Sequence, residues 1–293
     1  MKLSTLLLLV FISGATLHAQ KEYQLRYAFP EGKTLKYKKT ESTNAQITGP
    51  GGTEEKIDRT SEARIHIIGE TSDPALPTYL FVQDTLFSEE QSPEQFGFNL
   101  SDMYSAINGK KIRITLSPRG DMKSVHAVDS IVFKHKLPVA LTDTMLAGQA
   151  VIFPPLPEKK IKIGESWTET RIDTLSPKFA VEGMASGATL TIKRYNTTYK
   201  VEGIEKKKKF DCLKLTWKSA AKSESKFHFG EMEVYSDEDT NISGTLYFAY
   251  AEGYLIEMKQ STYTEATTAM VSSQENATMP SSTQIESTLT LLP

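Results

Sequence analysis

Phe210-Asp211-Cys212-Leu213-Lys214-Leu215-Thr216-Trp217 is the stretch that decides how this chain is read. In it, Leu213, Leu215 and Trp217 alternate with Lys214 and Thr216. Successive side chains of an extended strand point to opposite faces, so this spacing buries one face and leaves the other in water. The same period recurs at Leu25, Tyr27 and Phe29, at Ile65 and Ile67, at Ile112, Ile114 and Leu116, and at Leu246, Phe248 and Tyr250. The chain is therefore expected to be mainly β. Turn residues interrupt the runs at Gly49-Pro50-Gly51-Gly52, Ser117-Pro118-Arg119-Gly120, Lys206 to Lys209, Ser236 to Thr240 and Ala251-Glu252-Gly253. Short loops between such runs favour antiparallel neighbours.

Two stretches depart from period two. Ser92 to Asn108 and Val128 to Gln149 space their apolar residues irregularly, with Ser101, Asp102, Thr142 and Asp143 as helix starts, and one or two short helices are expected there. Phe153-Pro154-Pro155-Leu156-Pro157 must be extended, because each proline fixes its own φ and disfavours the helical region for its predecessor. It reads as a linker over 151–157 between two β-rich modules, 21–150 and 158–293. Gly32 with Leu35 parallels Gly164 with Trp167, Ile67 before Gly69 parallels Val201 before Gly203, and Leu80 and Val82 parallel Leu213 and Leu215. Gly120 likewise parallels Gly253, and all four matches lie about 133 residues apart. The modules are thus expected to be related, each an antiparallel sheet in a sandwich or half-barrel. Inward residues before Gly120 and Gly253 fall out of phase by one, which requires a bulge if that match is real.

The first 19 residues read as a secretory signal: Lys2, an apolar run from Leu6 to Ile12, then small and polar residues ending at Ala19. An exported chain, periplasmic or extracellular, is expected. No run approaches the roughly 20 apolar residues of a spanning helix, from which no transmembrane segment is expected. A formal charge of -2 on 293 residues offers no bulk attraction to nucleic acid.

Tyr23-x-Leu25-x-Tyr27-x-Phe29-x-x-Gly32, Leu35-x-Tyr37 and the later Leu156-Pro157-x-Lys159-x-Ile161-Lys162-Ile163-Gly164-Glu165-Ser166-Trp167 resemble an uncharacterised family of exported Gram-negative bacterial proteins. The resemblance implies export and a β-rich fold. It carries no activity.

The common catalytic arrangements find little to work with. No G-x-S-x-G occurs, and Gly164-Glu165-Ser166-Trp167 reads as a turn opening a strand. His66, His126, His135 and His228 form no H-x-x-x-H or H-E-x-x-H pair, so a zinc site would need distant segments. Cys212, the single cysteine, is expected to be a buried, inert thiol. Asp237, Asp239 and Asn241 alternate like the start of a calcium loop, but Ile242 and Phe248 stand where that loop needs a glycine and a carboxylate. A solvated hairpin tip is the expectation for this acidic stretch and for Lys206 to Lys209, the latter also suiting lipid headgroups or an acidic polymer. No catalytic residue, metal ligand or cofactor is assigned, and no ligand-binding residue is singled out. Trp167 and Trp217 are the only tryptophans, few for a carbohydrate-stacking surface.

The function expected is non-catalytic binding by an exported, monomeric or weakly associating protein. The bound species is a lipid or other apolar or amphipathic ligand in the concavity of a curved sheet, or an envelope component along a sheet face. A hydrolase acting on an envelope polymer is one alternative. A structural or assembly protein pairing through edge strands is the other. The carrier requires a cavity of at least roughly 300 Å³ lined by Phe, Tyr, Leu and Ile, and the hydrolase requires a histidine against a carboxylate in a cleft.

Overall fold

Period-two patterning produces twelve strands in the computed structural model, which describes residues 21–49, 51–71, 73–91, 107–131, 153–175, 178–179, 187–229, 232–271 and 276–293. They are β1 (Thr34–Thr48), β2 (Glu54–Gly69), β3 (Thr78–Gln91), β4 (Lys111–Leu116), β5 (Met122–Ala127), β6 (Ser166–Leu175), β7 (Lys178–Phe179), β8 (Gly187–Lys207), β9 (Phe210–Phe229), β10 (Met232–Ala249), β11 (Tyr254–Val271) and β12 (Asn276–Leu291). All pairings are antiparallel, in the order β5-β4-β3-β2-β1-β12-β11-β10-β9-β8-β6, with β7 also on β8. No helix is among these described elements. The stretches expected to hold helices lie, apart from their ends, outside the described residues, as does the signal-like segment 1–19.

The expectation of two separate modules is corrected: β1 pairs with β12 from Tyr37 opposite Leu291 to Ile47 opposite Ser281, so one sheet runs through both halves. Two modules would each have left a long edge of unpaired backbone groups, which this pairing removes. The sheet also curls. Arg119, in the turn between β4 and β5, donates to Glu169 of β6 at 2.7 Å, although these strands stand at opposite ends of the strand order.

The residues that close this seam are those read as a linker. Residues 153–157 are extended, as their prolines dictate, but Phe153, Leu156 and Pro157 are buried and Leu156 N–H donates to Arg119 C=O at 2.7 Å. The segment 23–29 crosses the same end of the sheet. Tyr23 and Ile161 exchange backbone hydrogen bonds, Tyr27 N–H reaches Pro118 C=O, and Ala28 N–H reaches Gly253 C=O, the last two at 2.8 Å. Gly253 has φ 80°, and a Cβ there would stand 2.7 Å from that of Ala28, so only glycine lets this crossing pass.

The core therefore sits at one end, here termed the base. Tyr27, Phe29, Tyr37, Tyr79, Phe153 and Phe248 form one aromatic cluster, with neighbouring centroids from 4.7 Å (Phe29–Tyr79) to 6.4 Å (Tyr37–Phe153). The Tyr27 and Tyr37 hydroxyls donate to Pro154 and Leu255 carbonyls at 2.7 and 2.8 Å, satisfying the polar ends of buried rings. Gly32 N–H donates to the Gly69 carbonyl at the end of β2, and Gly164 N–H to the Val201 carbonyl within β8. A bulge at Tyr247/Phe248 shifts the register of β10 on β11. Leu246 to Ala249 beside it are buried consecutively, and β4 has a register shift of its own against β5 at Thr115/Leu116.

Above the base the strands continue while the apolar pattern stops. β9 runs twelve residues beyond Trp217 to Phe229, and Ser236 to Thr240, read as a turn, lies inside β10. The correction has a simple cause: these segments are polar on both faces, so no hydrophobic period marks them as strand.

Candidate functional site

The core face of the sheet changes composition as it leaves the base. At the boundary stands a row built from successive strands: Trp167 on β6, Tyr199 on β8, Trp217 on β9 and Gly244 on β10, each opposite the next. Trp167 and Tyr199 are stacked at 4.9 Å with rings 12° apart. Trp217 lies over Gly244, where a Cβ would approach the indole to 2.2 Å. Burial, with Glu169 adding to it, pushes the Tyr199 phenol up to about 12, which leaves it neutral as a packing and hydrogen-bonding group. The indole N–H of Trp167 is buried without a partner.

Beyond that row the inward residues are small and hydroxylated. Ser219, Ala221 and Ser223 follow Trp217 along β9 and are buried; Thr240 on β10 and Ala45 on β1 join them. Hydroxyls pair between neighbouring strands at Thr197–Ser219 (2.7 Å), Thr191–Ser225 (3.0 Å), Thr240–Thr264 (3.1 Å) and Thr268–Ser236 (3.2 Å). A hydroxyl donates once and accepts twice, so each pair keeps unused capacity. On the β1–β2 side the wall carries charge: Glu41 contacts Lys39 at 3.0 Å and Arg59 at 3.2 Å. Burial raises the Glu41 carboxyl, but the two cations outweigh it and hold the group below its ordinary value.

The apolar carrier required a cavity lined by Phe, Tyr, Leu and Ile. Two grooves among the described residues, of about 490 and 440 Å³, are lined largely by polar side chains, Asn44, Asp58 and Gln284 in the first and Lys160, Lys162 and Glu165 in the second. Aromatic rings that would have lined such a cavity fill the base instead.

The hydrolase required a histidine against an acid in a cleft, and half of that arrangement is present. His66 Nε2 lies 2.9 Å from Asp84 Oδ2. His66 alternates with the core residues Ile65 and Ile67, which places the pair on the outward face, with Asp84 in a bulge where Ile65 faces Gln83 and Arg64 faces Thr85. His228 approaches Glu233 at 3.5 Å, also in the open. His126 has partners of its own, and His135 lies outside the described residues. Ser166 opens β6 as an exposed residue. Cys212 is fully buried, and burial pushes its thiol up to about 11, so it is protonated and unreactive at neutral pH.

Asp237, Asp239 and Asn241 do share a face, but as outward residues in the middle of β10, where Asp239 meets Lys222 at 3.3 Å. A calcium loop needs a turn that wraps its ligands around the ion, and a strand spreads them along a line. Among the described residues no cluster of His, Cys, Asp or Glu is arranged to hold a metal. What the sequence missed was the row: Trp167 and Trp217, 50 residues apart, fall on one face with Tyr199 between them. Their shared parity within alternating runs was the available signal.

No protein-family model and no curated protein matches the chain. Among solved structures it is similar to Pseudomonas aeruginosa OpdQ (7% identity, 89% of this chain and 100% of that one, TM-score 0.26). It is likewise similar to Pseudomonas aeruginosa OccK3 (OpdO) (6%, 90% and 97%, TM-score 0.29) and to a loop-deletion mutant of OmpT, an outer membrane protein of Vibrio cholerae (7%, 89% and 99%, TM-score 0.24). TM-scores this low carry no argument about activity. The exclusion of a transmembrane segment is corrected on other grounds: it was drawn from apolar run length, a criterion for helices, whereas the described elements of this chain are strands, of which that criterion says nothing.

Proposed function

We propose that this chain is an exported, non-catalytic binding protein that holds an envelope component against the core-side face of its curled sheet, above the packed base. The observation that carries the reading is the run of paired inward hydroxyls from Thr197–Ser219 to Thr268–Ser236. Small side chains let an extended molecule approach the backbone, and hydroxyls with spare donors and acceptors offer hydrogen bonds along its whole length. Such a wall suits a polar chain, a glycan or an extended polypeptide, better than an acyl tail, which would leave those hydroxyls desolvated and unpaired. The signal-like residues 1–19 supply the route to the envelope. The outward position of His66 and Asp84, with no nucleophile assigned beside them, argues for holding over hydrolysis.

Native mass spectrometry of the protein purified from its own host tests this directly. Added mass that resolves into sugar residues or a polypeptide is expected. A bare chain, or one carrying acyl lipid alone, overturns the proposal.

A further inference from the structure

Several strand lysines of this chain meet carboxylates: Lys38 with Glu62 (2.7 Å), Lys200 with Glu202 (2.9 Å), Lys222 with Asp239 (3.3 Å) and Lys226 with Glu233 (3.2 Å). Around the β10–β11 turn at the base a group of five lysines does not. Lys33 donates to the Tyr254 hydroxyl at 3.1 Å and lies 4.4 Å from the centre of that ring. Lys209 stands 5.5 Å from the Phe210 ring, which itself meets Tyr254 edge-on at 5.8 Å. Lys21 sits between the Tyr23 and Tyr250 rings at 5.3 and 5.7 Å, and Lys208 donates to the Leu291 carbonyl. Lys206 completes the group, and among the described residues none of these five has an ion pair with a carboxylate. Of the nearby acids, Glu205 is engaged by Lys214 at 2.8 Å and Glu257 by Lys207 and Lys259 at 4.0 and 3.6 Å, while Asp211, opposite Lys206 in the register, and Glu252, in the β10–β11 turn, stand beside the group without an ion pair to it.

We propose that this base collar of Lys21, Lys33, Lys206, Lys208 and Lys209 docks the protein on the anionic headgroups of a membrane leaflet. Three features fit that occupant. Lys206, Lys208 and Lys209 are exposed at a hairpin whose two-residue turn, with Lys208 at φ 53°, projects them together. Tyr and Phe rings lie directly beneath the ammonium groups, and aromatic side chains next to cations are the residues that settle at a headgroup boundary. Ile204, 42% exposed on the same hairpin, adds an apolar contact. Lys206 to Lys209 are four consecutive cations that repel one another, offset within the protein only by Asp211 opposite Lys206 and by Glu257 against Lys207, and a surface of phosphates relieves the remaining repulsion. With the base on the leaflet, the hydroxyl-bearing strands stand away from it, so the docking is independent of what the upper face binds.

The test is sedimentation with vesicles of phosphatidylcholine alone or with phosphatidylglycerol added, at low and at near-physiological salt. Binding is expected only with phosphatidylglycerol and should weaken as salt rises. Each lysine that reaches an anionic surface strengthens attachment about fivefold, so the variant Lys206→Gln/Lys208→Gln/Lys209→Gln should bind about a hundredfold more weakly. Far-UV circular dichroism of that variant should be unchanged, and Lys206→Gln/Lys209→Gln, which spares the Lys208 bond, should show about a 25-fold loss. Equal binding to both vesicle types, no binding to either, retention of soluble polyphosphate without vesicle binding, or variants that bind like the parent would each overturn the proposal.

Discussion

The base and the upper strands are made by the same backbone geometry and held by different chemistry. At the base, inward positions carry Tyr, Phe, Leu and Ile, and two crossing segments seal them. Above it, on the same strands and the same face, inward positions carry Ser, Thr and Ala, and the ladder hydrogen bonds run on with little apolar burial to support them. The difference teaches that the apolar burial behind stability is segregated along the strand axis from the hydroxyl-bearing surface. Burial of apolar area dominates the folded state, so the base should unfold the molecule when damaged and the upper strands should tolerate change.

The largest expected effect is Phe153→Ala, which leaves a cavity among Tyr27, Phe29, Tyr37 and Tyr79. A loss of about 3–5 kcal/mol is expected in denaturant unfolding. A loss below about 1 kcal/mol would break the comparison. Gly244→Ala comes next. It forces a methyl into the Trp217 ring at the boundary row and should cost about 1–3 kcal/mol, with a shift in tryptophan fluorescence reporting the moved indole.

Arg119→Ala removes the fork that holds Leu156 C=O at 3.0 Å and Glu169 at 2.7 Å. About 1–3 kcal/mol is expected, and hydrogen exchange should quicken at Tyr23, Leu156 and Ile161 before it does in β9 or β10. Uniform protection would show that the seam does not open separately. Arg119→Lys should recover only part, since an ammonium cannot reproduce the planar fork.

Glu41 provides a pH test of the upper wall. Its carboxyl is held below the ordinary value near 4.5, so its contribution is present above that pH and is lost as pH falls through the lower folded-state value. In Glu41→Gln the neutral region of a stability–pH curve should fall while the acid end stays where it is, which makes the acid limb shallower; an unaltered limb would remove Glu41 from the account. Smallest of all, Lys222→Ala breaks an exposed pair with Asp239 and should change stability by less than about 0.5 kcal/mol.

Legibility followed the apolar signal. Ile112, Ile114 and Leu116 alternated and are buried on one face, and so are Leu213, Leu215 and Trp217. The same rule failed where Ser219, Ala221 and Ser223 continue the alternation in residues too polar or too small to register, and it turned the acidic middle of β10 into a loop. The prolines of 153–157 forced extension, but whether that extended piece would hang in solvent or lie in the core depended on Tyr27 and Phe29 arriving from 126 and 124 residues away.

Sequence alone determined the strand character, the turns around Gly120, Gly164 and Gly253, and the unreactive setting of Cys212, because each depends on neighbours within a few positions. Tertiary structure decided that β1 meets β12, that the two sheet ends meet through Arg119 and Glu169, and that Trp167, Tyr199 and Trp217 line one row. Those outcomes turn on contacts such as the Tyr37 hydroxyl on the Leu255 carbonyl, 218 residues apart. Pairing partners and closure are chosen by the free energy of the whole sheet, and no local window of sequence contains that choice.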